Sequence, residues 1–317
     1  MSTNRNYSYP THIQGFTLIE LMISLVLGLL ISAAVIQVYI TSTRTMTVQQ
    51  SASEVQDSTI FALQAIEKHV RLANLGNPIT SINDTTNHGG VVLTPQNLGS
   101  SNNTATNFLT NSNGSRESIG LSNIAGIASD QLTIQYRNIT THNLYDCEGG
   151  VIEAGNADWV VERYFVRLTT GATANNAKVQ DLALACSAGR VSNDGTVVKA
   201  FTDTGSMIVS AVDQFKVLLG VQSDAANLTY LPASTYLELT DKPAITTVKL
   251  GVIVRSNTPL ITDVNNQKFT VFGTEHTIKT DTSQKKYYRR SYESTVLLRN
   301  ARVMTIVGVA TNTASGS

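Results

Sequence analysis

A lone carboxylate, a pair of thiols and five scattered imidazoles are the side chains in this 317-residue chain whose placement bears on chemistry. The carboxylate is Glu20. It stands at the head of an apolar run, and no other charge falls before Arg44. An acid at the edge of a membrane-length segment is destabilising unless it has a partner, so its first reading is functional. The thiols are Cys147 and Cys186. Two cysteines cannot furnish a closed four-ligand zinc site of the usual cysteine type. They can form one disulfide; the competing account is two unrelated buried thiols. The imidazoles are those of His12, His69, His88, His142 and His276. No H-E-x-x-H, Walker-type loop or G-x-S-x-G accompanies them. His69 reads as a surface or packing residue rather than a ligand. The turns at Asn193-Asp194-Gly195 and Asp263 to Asn266 carry oxygen ligands of the kind Ca²⁺ takes, but turn formation explains them better. The expectation is a protein with no enzymatic reaction, no cofactor and no metal.

The element that must position Glu20 is the run behind it. Leu21 to Thr43 is uncharged, with Ser24, Ser32 and Gln37 as its main polar interruptions. As a helix it spans about 35 Å, enough to cross a bilayer. A conventional secretory signal fits poorly, because its apolar core is short and ends at a small-x-small cleavage site. Here Val35, Ile36, Val38, Tyr39 and Ile40 continue the apolar run beyond Ser32-Ala33-Ala34. The residues before Phe16 include Arg5 and no acid, which suits a cytoplasmic N-terminus. Gly28 and Ser32 form a small-xxx-small pair, consistent with close helix packing. A segment that places the rest of the chain outside the inner membrane puts both cysteines in an oxidising compartment. Closing the loop between them would stabilise the fold by about 4 kcal/mol in the chain-entropy model.

From Thr45 to Leu75 there is no Pro or Gly, and Val55, Thr59, Leu63, Ile66, Val70 and Ala73 recur near helical spacing. Gly76-Asn77-Pro78 supplies a stop. One helix from about residue 16 to residue 75 is expected, apolar all round in its first half and amphipathic in its second. Residues 80–130 are rich in Asn, Ser, Thr and Gly and read as a long irregular surface region, with Gly90 to Thr94 a short strand. The Asn-x-Ser/Thr triplets at Asn83, Asn102, Asn113, Asn138 and Asn227 are expected by chance in such a composition. From Gln131 onward the pattern is β. Leu132 to Tyr136, Trp159 to Leu168, Asp181 to Cys186, Val212 to Leu219, Thr246 to Arg255, Lys268 to Phe272 and Tyr287 to Leu298 read as strands. Pro232 to Thr240 reads as a short helix or turn. Lys+Arg and Asp+Glu are equal at 23 each, which gives no reason to expect a nucleic-acid partner. The basic cluster Lys285-Lys286 and Arg289-Arg290 reads as a solvated turn and strand edge.

The stretch Gly15-Phe16-Thr17-Leu18-Ile19-Glu20 resembles the type IV prepilin signature. The resemblance implies cleavage by prepilin peptidase between Gly15 and Phe16, N-methylation of Phe16 and an assembly role for Glu20. In that reading the carboxylate neutralises the cationic amine of Phe16, its own or a neighbouring subunit's. An uncompensated charge in low dielectric then selects register. The run Tyr288 to Asn300, ending Leu298-Arg299-Asn300, looks like the close of PilW-type minor pilins. Asp146-Cys147-Glu148-Gly149 and Leu184-Ala185-Cys186 resemble that family's cysteine segments, and Leu63 to Gly76 its helix end. The implied fold is α+β and pilin-like: a long N-terminal helix packed on a C-terminal antiparallel sheet domain with long irregular loops. The expected division is a leader at 1–15, a transmembrane and assembly segment at 16–43, an amphipathic segment at 44–76 and a β-rich domain at 77–317. The implied partners are prepilin peptidase, other minor pilins, the major pilin, often a tip adhesin, and the inner membrane before assembly. The implied location is a single-pass inner-membrane protein with a periplasmic domain, and then the pilus tip, with roles in twitching motility, adhesion and DNA uptake. The alternatives are a J-type pseudopilin of type II secretion and a signal-anchored exported binding protein.

Overall fold

The computed structural model describes residues 15–99, 108–112, 120–169, 175, 178–202, 204–222, 227–260, 268–280 and 285–301. The leader before Gly15, the triplets at Asn102 and Asn113, and the turn at Asp263 to Asn266 lie outside them. Two compact units are distinguished, residues 1–49 and 50–317.

Helix α1 (Leu18–Val70) has 53 residues and runs through both units. In the second unit it shows one buried stripe: Ser51, Val55, Thr59, Ala62, Leu63, Ile66 and Val70. Thr59 can lie in this stripe because its hydroxyl donates to the Val55 carbonyl at 2.5 Å, leaving no polar group unpaired. The helix stops at Val70, five residues before the expected end. Residues 71–76 form tight turns instead, and Ala73 is still fully buried.

Side chains and backbone from distant segments explain that end. The Asn74 N–H donates to the Gln135 carbonyl at 3.0 Å, and Asn74 and Gly76 take left-handed φ values of 67° and 79°. Asn300 Nδ2 lies 3.3, 3.5 and 3.2 Å from the carbonyls of Arg71, Leu72 and Ala73, to which it donates. Asn74 Nδ2 donates back to the Asn300 carbonyl at 2.7 Å. The Asn of the Leu-Arg-Asn ending therefore holds the carbonyls of the turn that follows the helix, while backbone N–H groups of that turn serve Glu67, His69 and Val70.

The strands are β1 (Leu132–Tyr136), β2 (Leu144–Tyr145), β3 (Val151–Ile152), β4 (Trp159–Leu168), β5 (Leu182–Val191), β6 (Val197–Lys199) and β7 (Ser206–Ser210). They continue with β8 (Val212–Gln222), β9 (Leu228–Leu231), β10 (Ala244–Arg255), β11 (Lys268–Val271), β12 (Thr274–Thr277) and β13 (Arg289–Leu297). A short helix α2 (Ala233–Glu238) lies between β9 and β10. One sheet has the order β1-β4-β5, with β6 and β7 both pairing β5; the other has the order β13-β10-β8-β9. All these pairings are antiparallel. Two hairpins, β2–β3 and β11–β12, pair separately but pack on the main sheets, Ile152 on Tyr136 and Val160, and Phe269 and Val271 on Ile253.

Both sheets line one core with the α1 stripe. Val55, Ile66 and Val70 of the helix join Ile134, Tyr164 and Leu184 of the first sheet, and Phe215, Leu219, Val248, Leu250 and Val296 of the second. Burial of this apolar area is what holds the helix to the domain.

The first sheet is covered on its other face as well. Val92 and Leu98 pack there with Val161 and Val191. The Asn/Thr-rich region is thus partly internal, against the expectation of a surface region. Its expected strand reduces to a single bridge, Val91 to Ile134. Asparagine side chains replace the missing strand bonds. Buried Asn97 accepts from the N–H of Leu93 (2.9 Å) and Thr94 (3.1 Å), and donates to the carbonyls of Asn83 (3.0 Å) and Thr86 (2.8 Å). Gly90 must be glycine, since a Cβ there would collide with the Asn74 backbone.

Candidate assembly site

Gly15, Phe16 and Thr17 precede the first helical residue, Leu18. Thr17 sets that boundary. Its carbonyl accepts the N–H groups of Glu20 and Leu21, both at 3.1 Å, and its Oγ1 accepts the Glu20 N–H at 3.3 Å. A threonine in this role satisfies a donor that the helix leaves unpaired. Thr17 and Glu20 also have the spacing of a capping box, a signal present in the sequence but masked by the apolar run.

The Gly15–Phe16 peptide bond therefore lies outside the helix, and Phe16 is 83 % exposed. A Cβ on Gly15 would meet nothing within 4 Å. Nothing among the described residues thus requires glycine at this position. Glu20 falls in the first turn of α1, where the helix dipole favours a negative charge.

Every large apolar side chain from Phe16 to Tyr39 is more than half exposed. The helix has an 18-residue window of mean hydropathy 2.5, none of it buried, and is long and apolar enough to cross a membrane. Several of its hydroxyls bond within the helix. Ser24 donates to the Leu21 carbonyl, Thr41 to Gln37 and Thr43 to Tyr39, each at 2.9 Å. A Cβ on Gly28 would also meet nothing, so any demand for a small residue there comes from outside the chain.

In the second unit the two cysteines are joined as a disulfide, with a Cα–Cα distance of 6.2 Å across a separation of 39 residues. Cys147 lies in the turn of the β2–β3 hairpin and Cys186 in the middle of β5. Asp146 fixes that turn: its Oδ1 accepts the N–H groups of Glu148 (3.1 Å) and Gly150 (2.7 Å), and its Oδ2 pairs with Arg190 at 2.6 Å.

Beside the disulfide lies a buried carboxylate that sequence reasoning missed. Glu162 of β4 is fully buried. Its Oε1 accepts the Tyr136 hydroxyl at 2.8 Å and the Cys147 N–H at 3.0 Å, and Oε2 accepts the Tyr164 hydroxyl at 2.8 Å. His69 Nδ1 of α1 lies 3.0 Å from Oε1. Burial first, and then the neighbouring carboxylate, hold both tyrosine hydroxyls far above their ordinary range. His69 is thus a packing residue with a specific acidic neighbour.

The basic cluster near the end of the chain is only partly solvated. Arg289 turns inward, and its Nε donates to Oδ2 of fully buried Asp213 at 2.7 Å. Asn123 Nδ2 donates to Oδ1 of the same aspartate at 2.6 Å, and Arg255 pairs with Asp181. The Asn193-Asp194-Gly195 turn is likewise committed within the fold. Its Asn193 accepts from Trp159 Nε1 at 2.9 Å, and Asp194 Oδ1 accepts the Thr196 N–H at 3.1 Å. Among the described residues, no group of three or more His, Cys, Asp or Glu side chains could hold a metal ion.

Comparison with known families bears on both units. The prokaryotic N-terminal methylation motif matches residues 11–36, which takes in Gly15, Phe16 and Glu20. The family described as type IV pilus-assembly protein W, PilW, matches residues 163–300. That match runs from β4 to the capping residue Asn300 and includes Cys186 but not Cys147. No curated protein and no solved structure matches the chain. The methylation motif at the head of an exposed apolar helix and the PilW match across the antiparallel sheets agree, and the chain is a PilW-like type IV pilin.

Proposed function

We propose that this protein is a minor pilin of the type IV pilus that primes assembly and resides at the pilus tip with other minor pilins. Prepilin peptidase removes residues 1–15 and methylates Phe16. Residues 16–43 anchor the protein in the inner membrane and later pack in the filament, with Glu20 opposing the N-terminal amine. Residues 44–76 carry the helix onto the domain, and residues 77–317 form a periplasmic domain that meets other minor pilins, the major pilin and a tip adhesin. Its contribution to twitching motility, adhesion and DNA uptake is structural, with no reaction catalysed by the chain itself.

The observation that carries this reading is the methylation motif lying across a Gly–Phe junction just outside the first turn of α1. Unpaired charge in a low-dielectric bundle is strongly disfavoured, which gives Glu20 its selective value. Intact mass spectrometry of membrane-expressed protein tests the processing step. Wild type loses its leader and gains a methyl group when prepilin peptidase is present, and Gly15→Leu keeps the leader. Normal trimming of Gly15→Leu would overturn the assignment. Glu20→Ala should remain in the membrane yet lose co-purification with other pilins; unchanged co-purification and pilus number would refute the assembly role.

A further inference from the structure

Glu162 gathers contacts from four parts of the chain: α1 through His69, β1 through Tyr136, the β2–β3 turn through the Cys147 N–H, and its own strand through Tyr164. A buried carboxylate is strongly destabilising unless its oxygens are fully supplied with donors. Three of the contacts come from strands or helix held in the main core. The fourth comes from a hairpin whose strands have two residues each. Strands that short do not hold together by themselves. The turn is tied down by the Cys147–Cys186 bond and by Asp146 to Arg190.

We propose that disulfide formation and docking of the His69 turn of α1 are coupled through Glu162. Closing the disulfide seats the Cys147 N–H on Oε1, keeps water from the carboxylate and fixes Oε1 at the place where His69 Nδ1 packs against it, 3.0 Å away. Reduction by a dithiol transfers two electrons and two protons, giving two thiols and a cyclic disulfide of the reductant. The hairpin then loosens, Glu162 takes water in place of the amide, and the His69 turn is released. Release is local, because the Asn300 cap on Arg71 to Ala73 is independent of the disulfide. Glu162 is a positioning residue in this scheme, and the inference stands on the fold of the second unit without the pilus reading.

Hydrogen exchange on the full-length protein in detergent tests it, with dithiothreitol as the reductant. In wild type, reduction should accelerate exchange at residues 66–73 by tenfold or more, while β8 and β10 stay unchanged. Oxidised Glu162→Gln should already exchange fast at 66–73, and reduction should add less than twofold. The proposal is overturned by acceleration confined to 144–152 and 182–191, by uniform acceleration of both sheets, or by effects of variant and reduction that multiply in full. If β10 exchange shows Glu162→Gln to be unfolded, His69→Ala serves the same test. It should be fast at 66–73 when oxidised and nearly insensitive to reduction; a full tenfold response in that variant overturns the coupling.

Discussion

Leu29 and Ile66 belong to the same helix, yet Leu29 is 66 % exposed and Ile66 is fully buried. The stretch around Leu29 is apolar on every side, so no face can be turned to water and none of it is covered by this chain. The stretch around Ile66 buries a single stripe, with Glu54, Asp57, Glu67 and Lys68 elsewhere and Ile60 and Phe61 left exposed. One backbone conformation thus serves two purposes, and the side-chain pattern decides which. An all-round apolar helix needs lipid or other helices as its surroundings, whereas an amphipathic one is completed by its own domain.

The sharpest way to break this contrast is to truncate one residue in each stretch. Ile66→Ala should destabilise the domain by about 2–5 kcal/mol in denaturant unfolding of the detergent-solubilised protein. Leu29→Ala should leave that transition unchanged within about 0.5 kcal/mol. Equal effects would mean that the two stretches are not separate in their energetics.

A smaller effect is expected from Asn300→Ala, which removes the donor to the carbonyls after Val70 and keeps the backbone carbonyl to which Asn74 donates. Loss of about 1–2 kcal/mol in the same assay is expected, the scale of a few partly exposed hydrogen bonds. An unchanged midpoint would show that water caps the helix equally well.

The smallest effect concerns pH and involves His88 and His276 of the second unit. Burial holds the imidazoles of His88 and His276 below their ordinary range. As pH falls below about 6.5, the unfolded chain takes up these protons before the folded one does, so stability declines; above that value the contribution is fully present. Unfolding midpoints compared at about pH 7.5 and about pH 5.5 should show the decline in wild type and a shallower one in His88→Gln. A decline as steep in that variant would remove His88 from the account.

The legible parts of the fold are those whose pattern is local. The bounds of β1 and β4 match the alternation and the β-branched and aromatic run from which they were read. β5 continues past Cys186 through Ser187-Ala188-Gly189-Arg190-Val191. Such small and polar residues have little strand preference, and their cross-strand neighbours keep them extended. β2, β3 and β6 are two or three residues long, too short for a periodicity to register, and β7, β9 and β12 are four or five residues long without a sustained alternation. The asparagines of residues 74–97 signalled turns correctly, but nothing in the sequence says that their amides bond to backbone far away.

The candidate site divides in the same manner. Phe16 and Glu20 stand out because the apolar run isolates them. Glu162 does not, because an acid in a strand ordinarily faces water and its partner His69 is distant in sequence. Arg289 was read as solvated for a related reason: a pair of adjacent basic residues gives no hint that one of them reaches buried Asp213.

The clasp between Asn74 and Asn300 joins residues 226 positions apart. It bears on the order in which the protein can be completed. The helix is made first, and the residue that finishes its end is made 226 positions after Asn74. Until Asn300 has been synthesised and has reached Asn74, the carbonyls of Arg71 and Ala73 must be served by water, while that of Leu72 keeps the Leu75 N–H. A chain halted before Asn300 can carry every apolar residue of the α1 stripe and still lack the closure of its helix. Arrival of β13 and the residues just behind it is thus what closes the end of α1.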